Sequence, residues 1–267
     1  MHPRVSVSQL CSNKWTLEQD LAFYAAEGIT CAGIYLRKLA ADVEGGVGKV
    51  RAAGLRVSSV PTPPGALLPS AGAAASPLEL LRPAIDVAAA LGGPCYFTAG
   101  RTRPRMSTDD AYAELVPLLK PVVAYARGRN VRLAIEHNSV PTRENGFIHT
   151  LADAVDLAND TGVDICLELQ NCWLERKLDR LFRQNVERFV VVQVSDYTFG
   201  ETMRLNRRVP GDGDMPLEWM LERLLDAGYK GIFELETLGP RIEEEGYPSA
   251  IRRGIDWLTT RLERWGA

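Results

Sequence analysis

The sequence predicts a single α/β domain, a closed (β/α)8 barrel that spans residues 1–267. Short apolar runs rich in β-branched residues alternate strictly with longer helical patterns, and eight such pairs follow one another at intervals of about 30 residues. This alternation indicates parallel strands joined by helical crossovers, and a barrel of about 250 residues would use nearly the whole chain. A doubly wound open sheet is the alternative, but no GxGxxG turn follows the first strand to support it.

Eight segments are expected to be strands because valine, isoleucine and other residues that favour strands are concentrated in them. They are residues 4–10, 30–36, 55–60, 95–99, 131–136, 163–169, 189–195 and 231–236. A continuous run such as FVVVQV is typical of a strand that is buried on both faces. The Pro-, Gly- and Ala-rich segment 60–77 is expected to be a loop after the third strand, not a linker between domains.

Helical patterns lie between these strands, and several begin and end at capping residues. Thr16 is expected to cap the first helix and Gly28 to end it. Pro117 and Pro121 predict a kink or a division in a long helix. The expected helices cover residues 16–28, 109–130, 150–162, 216–228 (opened by a proline) and about 249–265.

Composition and charge argue against several classes of protein. The net charge is −3, so no overall basic field favours nucleic acid or an acidic membrane surface. The five cysteines form no CxxC pair, which favours reduced, buried thiols in a cytoplasmic protein. The start of the chain has no apolar core for a signal peptide, and no run approaches the roughly 18 apolar residues that span a membrane. We therefore expect neither nucleic acid nor a membrane as a partner.

Polar side chains interrupt the apolar pattern at the ends of four successive strands. In a parallel barrel the functional site lies at the C-terminal ends of the strands, and side chains alternate between the two faces of each strand. Alternation directs Glu136, Glu168, Gln193 and Glu236 into the lumen and the bulky apolar residues toward the helices. Glu234 has the same parity but lies one layer deeper, where we expect it to support the site or form an ion pair.

Such a set of buried carboxylates must be neutralised, either by bound cations or by arginines. Carboxylate and amide oxygens suit a hard divalent ion, whereas zinc prefers histidine or cysteine. The expected cofactor is therefore a divalent metal ion, Mn²⁺ or Mg²⁺ in the first place and Co²⁺ or Zn²⁺ as alternatives. Its expected ligands are Glu136, Glu168, Gln193 and Glu236.

Several local patterns also resemble the xylose isomerase-like TIM barrels, a superfamily of sugar isomerases and epimerases that includes endonuclease IV. AIEHN is similar to the fifth strand, GVDICLELQN to the sixth, VVQVSD to the seventh and GYKGIFELE to the closing strand. By this resemblance Glu168 stands where the family has Asp, Asn171 where it has His, and Gln193 where His is usual. RRVPGDGDMPLEWML resembles the loop that carries the family's arginine, which is Arg207 or Arg208.

The departures from the family pattern limit which activities of the superfamily are expected of this chain. Only three histidines are present, so a histidine-rich trinuclear zinc site of the endonuclease IV kind cannot be assembled. Glutamine on the seventh strand resembles enzymes of the 3-dehydroshikimate dehydratase type.

The resemblance implies proton abstraction next to a carbonyl group, with Glu136 and Glu236 as the acid/base pair. His137 is an alternative base, because imidazole titrates near neutral pH. Arg208 is expected to bind the substrate. Further expected substrate contacts come from Trp15, Trp173 and Asn171.

Three functions follow as alternatives. The first is a metal-dependent isomerase or epimerase of a keto-sugar, a cyclitol or a related small polyhydroxy carbonyl compound. The second is a lyase that eliminates water from such a compound, and the third is a barrel that only binds a ligand or partner. Barrels of this family often form dimers or tetramers, so a homo-oligomer is also expected.

Overall fold

Eight parallel strands form a closed barrel in the computed structural model, which describes residues 1–65, 67–68, 75–139, 142, 144–203 and 205–267. Each strand pairs with the next along the chain, and the last pairs with the first. The predicted barrel is confirmed, and the open sheet is excluded because that sheet would leave two unpaired edges. The strands are β1 (Val5–Ser8), β2 (Cys31–Gly33), β3 (Arg56–Pro61), β4 (Cys95–Phe97), β5 (Leu133–Glu136), β6 (Asp164–Glu168), β7 (Phe189–Val194) and β8 (Phe233–Leu235).

Helices occupy the connections between the strands and surround the barrel. They are α1 (Leu17–Glu27), α2 (Val43–Ala52), α3 (Pro77–Leu91), α4 (Thr108–Gly128), α5 (Leu151–Thr161), α6 (Leu169–Cys172), α7 (Leu178–Asn185), α8 (Leu217–Asp226), α9 (Pro240–Glu245) and α10 (Tyr247–Arg264). None of the described helices combines the length and apolar character that crossing a membrane requires.

Capping residues begin and end the helices where the sequence predicted. The Thr16 hydroxyl accepts a hydrogen bond from the Gln19 N–H, and the Gln19 side chain accepts one from the Thr16 N–H. Gly28 ends α1 with φ of 64°, a conformation that disfavours side chains with a Cβ. The expected division of α4 is wrong: the helix continues through Pro117 and Pro121, which both lie on its exposed side, where water can reach the freed carbonyl groups.

The long segment after β3 was expected to be a loop. Residues 62–65, 67–68 and 75–76 lie between β3 and α3 and belong to neither a strand nor a helix. Residues 66 and 69–74 of the predicted loop lie outside the described residues.

Alternation along the strands separates two buried clusters, as the sequence predicted. The outward residues of the strands, such as Ile135 and Leu167, belong to the large core that packs against the helices. Their neighbours Ala134 and Cys166 join Tyr96 and Val191 in a separate small cluster that fills the lumen. The polar strand ends lie above this apolar filling, and all five cysteines are buried as free thiols.

A buried ion pair connects the region after β1 to the region after β2. Lys38 Nζ lies 2.6 Å from Asp20 Oδ2, with the two side chains 4% and 0% exposed. Lys38 also donates to the Ser12 carbonyl oxygen at 2.8 Å, and the Ser12 hydroxyl donates to Asp20. Removal of one partner from a buried pair leaves an uncompensated charge, which is far more costly than the loss of an exposed pair.

We expect Lys38→Met to lower the free energy of unfolding by about 3–5 kcal/mol, because Asp20 would stay buried without its cation. Lys49→Met is the matched control, since its pair with Glu18 is more than half exposed, and it should leave the free energy of unfolding nearly unchanged. Urea denaturation of both variants measures the difference. Equal destabilisation by the two substitutions would contradict this assignment.

Candidate active site

The four polar residues predicted at strand ends all lie at the mouth of the barrel. Glu136 and Glu168 are the last residues of β5 and β6, Gln193 is the next-to-last residue of β7, and Glu236 directly follows β8. All four are buried, and Glu168, Gln193 and Glu234 are aligned side by side by the strand register. The carboxyl ends of neighbouring parallel strands bring these groups together from distant parts of the sequence.

Arg207 inserts its guanidinium group between two of these carboxylates. Its Nη1 lies 2.7 Å from Glu168 Oε2 and 3.0 Å from Glu236 Oε1, and it also donates to the Glu236 carbonyl oxygen at 2.8 Å. The arginine is 4% exposed. Burial alone would lower the pKa of Arg207, but the negative charges of Glu168 and Glu236 outweigh burial and raise it. The guanidinium therefore carries a permanent positive charge inside the site.

Gln193 presents its amide NH₂ group to the neighbouring acidic residues. Its Nε2 donates to Glu236 Oε2, approaches Glu234 Oε1 at 3.3 Å and lies 3.0 Å from the Tyr96 hydroxyl. Its Oε1 accepts from the Cys166 thiol at 3.3 Å. Tyr96 also donates to Glu236, at 3.3 Å. The amide thus acts at the mouth as a hydrogen-bond donor.

Glu234 lies deeper in the lumen among serine hydroxyl groups. The hydroxyls of Ser58 and Ser59 donate to its carboxyl oxygens at 2.5–3.0 Å, and that of Ser6 does so at 3.5 Å. Burial raises the pKa of Glu234, and the serine hydrogen bonds counteract part of this rise. A Cβ atom on Gly33 would lie only 2.5 Å from Glu234 Oε2, so a larger residue there would displace the Glu234 carboxyl group. These contacts agree with the expected supporting role rather than with an ion pair.

The carboxyl groups of Glu136 and Glu236 have different tendencies to bind a proton. Burial raises the pKa of Glu136 well above its usual range, and the charges of Glu236 and Glu168 raise it further. Burial raises the pKa of Glu236 to about 7, while the adjacent Arg207 counteracts this rise. Carboxyl groups whose environments separate their proton affinities are typical of acid/base pairs.

The predicted metal-ligand set does not fit a divalent ion as its side chains are arranged. A metal would need oxygen lone pairs of Glu168, Glu236 and Gln193 directed at one point. Instead Arg207 lies between the two carboxylates, and Gln193 directs its NH₂ group toward Glu236. Among the described residues, no group of three or more His, Cys, Asp or Glu side chains is placed to hold a metal ion.

A cavity of about 670 Å³ opens at the mouth of the barrel above these groups. Glu136, Glu236 and Arg207 line its floor, and Trp15 and Asn171 lie among its walls. Trp15 is held edge-on against two aromatic rings, with ring centroids 5.4 Å and 5.5 Å away. This volume is in the range of small-molecule sites, and the cavity brings both carboxyl groups and the arginine to one ligand.

Three other predicted site residues have different surroundings. His137 is completely buried, and burial lowers its pKa to about 3, so its ring is neutral. Its ring nitrogens have no hydrogen-bond partner in the described part of the chain. Trp173 lies outside the cavity lining, with its ring 4.9 Å from that of Phe199. Asn171 lines the cavity and donates to the His137 carbonyl oxygen at 2.6 Å.

Of the two candidate arginines, Arg207 reaches the cavity and Arg208 does not. Arg208 is paired with Glu201 at 2.9 Å and donates to the Asn206 carbonyl oxygen at 2.7 Å. Arg208 also forms an antiparallel bridge with Asp196, and side chains of successive residues in extended backbone point in opposite directions. Arg208 therefore holds the loop, and Arg207 is the arginine that lines the cavity.

Asp196 positions this loop, a function that the sequence did not indicate. Its carboxylate accepts hydrogen bonds from the backbone N–H groups of Tyr197, Gly211, Gly213 and Met215. A Cβ atom on Gly213 would lie 2.3 Å from Asp196 Oδ1, so the GxG pattern serves this close approach. The feature of the sequence that could have indicated this function is an acidic residue, Asp196, directly after the seventh predicted strand.

Comparisons with known proteins find the same family that the local sequence patterns resemble. The family model for the xylose isomerase-like TIM barrel matches residues 21–261. A comparison with curated proteins found no match.

Solved structures similar to this chain include protein SMc04130 from Sinorhizobium meliloti 1021, with 21% identity, 98% of each chain covered and a TM-score of 0.86. The IOLI protein with a bound zinc atom has 14% identity, 98% coverage of both chains and a TM-score of 0.80. An L-ribulose 3-epimerase has 17% identity and a TM-score of 0.79, with 98% of this chain and 95% of its own covered. The match over most of the sequence shows that this chain belongs to the xylose isomerase-like TIM barrel family.

Proposed function

We propose that this protein is an isomerase or epimerase of a keto-sugar, a cyclitol or a related polyhydroxy carbonyl compound. The observation that carries the proposal is that two carboxyl groups, Glu136 and Glu236, and a buried cation, Arg207, line one cavity of monosaccharide-compatible size. Family membership and a similar structure named as an L-ribulose 3-epimerase support the same class.

The reaction needs a base beside the carbon that carries the acidic proton. Glu236 is the stronger candidate for this base, because Arg207 contacts its carboxylate and favours the ionised form. Glu136, which holds its proton more firmly, would return a proton to the carbanion-like intermediate. Proton removal by one carboxyl group and return by another on the opposite face inverts a stereocentre.

Negative charge develops on the substrate's carbonyl oxygen when the proton leaves. A cation already fixed beside that oxygen stabilises the resulting enediolate without having to reorganise. Arg207 is held by Glu168 and Glu236, so it would meet the substrate as such a fixed charge. Gln193 and Tyr96 hold the other oxygen of Glu236 and would keep that base oriented.

Isotope exchange tests the proposal directly. The protein is incubated in D₂O with a panel of ketopentoses, ketohexoses and inososes, and proton NMR follows loss of the signal next to the carbonyl and growth of an epimer. We expect exchange with at least one compound. Growth of an ultraviolet-absorbing enone would instead assign the dehydratase alternative, and a complete lack of exchange and product would leave only the binding barrel.

Glu136→Gln and Glu236→Gln should each reduce the rate of epimer formation by roughly 10²–10⁴-fold, because an amide cannot transfer the proton and inversion needs both groups. Glu244→Gln is the matched control, since that side chain lies on the surface in an exposed pair with Arg241. Its rate should equal that of the wild type. Full activity in either cavity variant would remove that residue from the proposed acid/base pair.

Trp15→Ala should raise KM by about tenfold, equivalent to about 1.4 kcal/mol, with a smaller change in kcat. The reason is that Trp15 forms a wall of the cavity and has no group that transfers protons. Trp219→Ala is the control, because that ring is 43% exposed on α8 and lies outside this cavity. An unchanged KM in a folded Trp15→Ala protein would contradict the assignment of this wall to the substrate.

A further inference from the structure

The family resemblance implies a divalent metal at the mouth of the barrel, whereas the structure presents a guanidinium group there. Arg207 Nη1 is within 3.0 Å of carboxylate oxygens from both β6 and β8. These two oxygens belong to Glu168 and Glu236, which are half of the ligand set expected for the metal. A metal ion and Nη1 cannot occupy the same place between them.

The other side chains around Glu236 also favour a guanidinium group over a metal ion, because they occupy the carboxylate oxygens as hydrogen-bond donors. Gln193 and Tyr96 both donate to Glu236 Oε2, while Arg207 contacts Oε1. Glu168 uses its other oxygen, Oε1, to accept from the Gln170 N–H at 3.0 Å. The Glu236 carboxylate thus has donors on both oxygens, whereas Glu168 Oε2 has the ion pair with Arg207 but no hydrogen bond in the described part of the chain.

The backbone of its loop places the Cα atom of Arg207 beside the site. Its own N–H donates to the Leu238 carbonyl oxygen at 3.0 Å, next to the end of β8. The neighbouring residue, Arg208, exchanges two backbone hydrogen bonds with Asp196, at 2.8 and 3.0 Å. Asp196 in turn fixes the following turn through four N–H groups. The backbone is thus anchored on both sides of Arg207, and the guanidinium group itself is held by Glu168 and by the side chain and carbonyl oxygen of Glu236.

We propose that Arg207 replaces the divalent ion in this barrel, so that the protein neither requires nor tightly binds a metal at the strand ends. The guanidinium supplies the positive charge that holds Glu168 and Glu236 together. Arg207 also has a second role, which rests on the proposed function: it stabilises the enediolate. The rest of the proposal concerns metal binding alone and can be tested without a substrate.

Metal binding is measured on the full-length protein after dialysis against EDTA, by calorimetry and elemental analysis with Mn²⁺, Mg²⁺, Co²⁺ and Zn²⁺ added one at a time. We expect the wild type to retain none of them at the level of about one equivalent that a dedicated site would hold. Arg207→Met should gain Mn²⁺ binding and a metal-dependent rise in Tm, because Glu168 and Glu236 would then lack a cation. Arg207→Lys, which keeps the charge, should remain metal-free.

Arg241→Met is the matched control for metal binding, since it removes an arginine whose partner, Glu244, lies on the surface. It should behave as the wild type does. Retention of about one equivalent of Mn²⁺ by the wild type, abolished by Glu168→Gln, would overturn the proposal even if Arg207→Met failed to fold.

Proton exchange in the presence of EDTA separates this inference from the proposed function. Exchange that persists in EDTA and disappears in Arg207→Met supports both. Exchange that is lost in EDTA and restored by Mn²⁺ would overturn the metal-free site and leave the isomerase or epimerase function standing. A wild type that binds no metal and exchanges no proton would leave Arg207 as the resident cation and refute the enzymatic function.

Discussion

The architecture of the barrel mouth depends on the neutralisation of buried carboxylates by Arg207. Glu168 and Glu236 approach from β6 and β8, and their mutual repulsion in a dry interior would be prohibitive without a cation between them. The loop that carries Arg207 is tied to Asp196 and to the segment after β8, so these hydrogen bonds set the place from which the guanidinium group reaches the carboxylates. The conformation of this loop and the neutralisation of the buried carboxylates therefore depend on each other.

Below the mouth, the lumen has two kinds of filling. Its apolar part contains Ala134, Cys166 and Val191, while the deeper carboxyl of Glu234 is surrounded by serine hydroxyls. Gln193 connects Glu234 to Glu236 through its NH₂ group. The orientation of the Glu236 carboxyl at the cavity floor therefore depends on polar contacts that extend into the lumen.

The fold and the parity of the strand ends could be predicted because both follow from local patterns. A period of two along a strand determines the face on which Glu136 or Gln193 lies, whatever the rest of the chain does. Alternation could not predict whether Arg207 or Arg208 lines the cavity, because both lie in a loop. Their directions are set by the bridge between Arg208 and Asp196, which joins distant parts of the sequence. The sequence also could not show whether a metal ion or an arginine neutralises the carboxylates, because an ion pair between distant segments produces no periodic pattern.

Asp196 has a consequence for attempts to transplant this site. Its carboxylate joins the end of β7 to a turn more than a dozen residues later, without lining the cavity itself. A graft of the arginine-bearing loop alone into another barrel would leave this anchor behind, however well the arginine matched in an alignment. Asp196 and the loop up to Met215 form a single unit, and recombination between family members should cut before Asp196 and after Met215 to keep it intact.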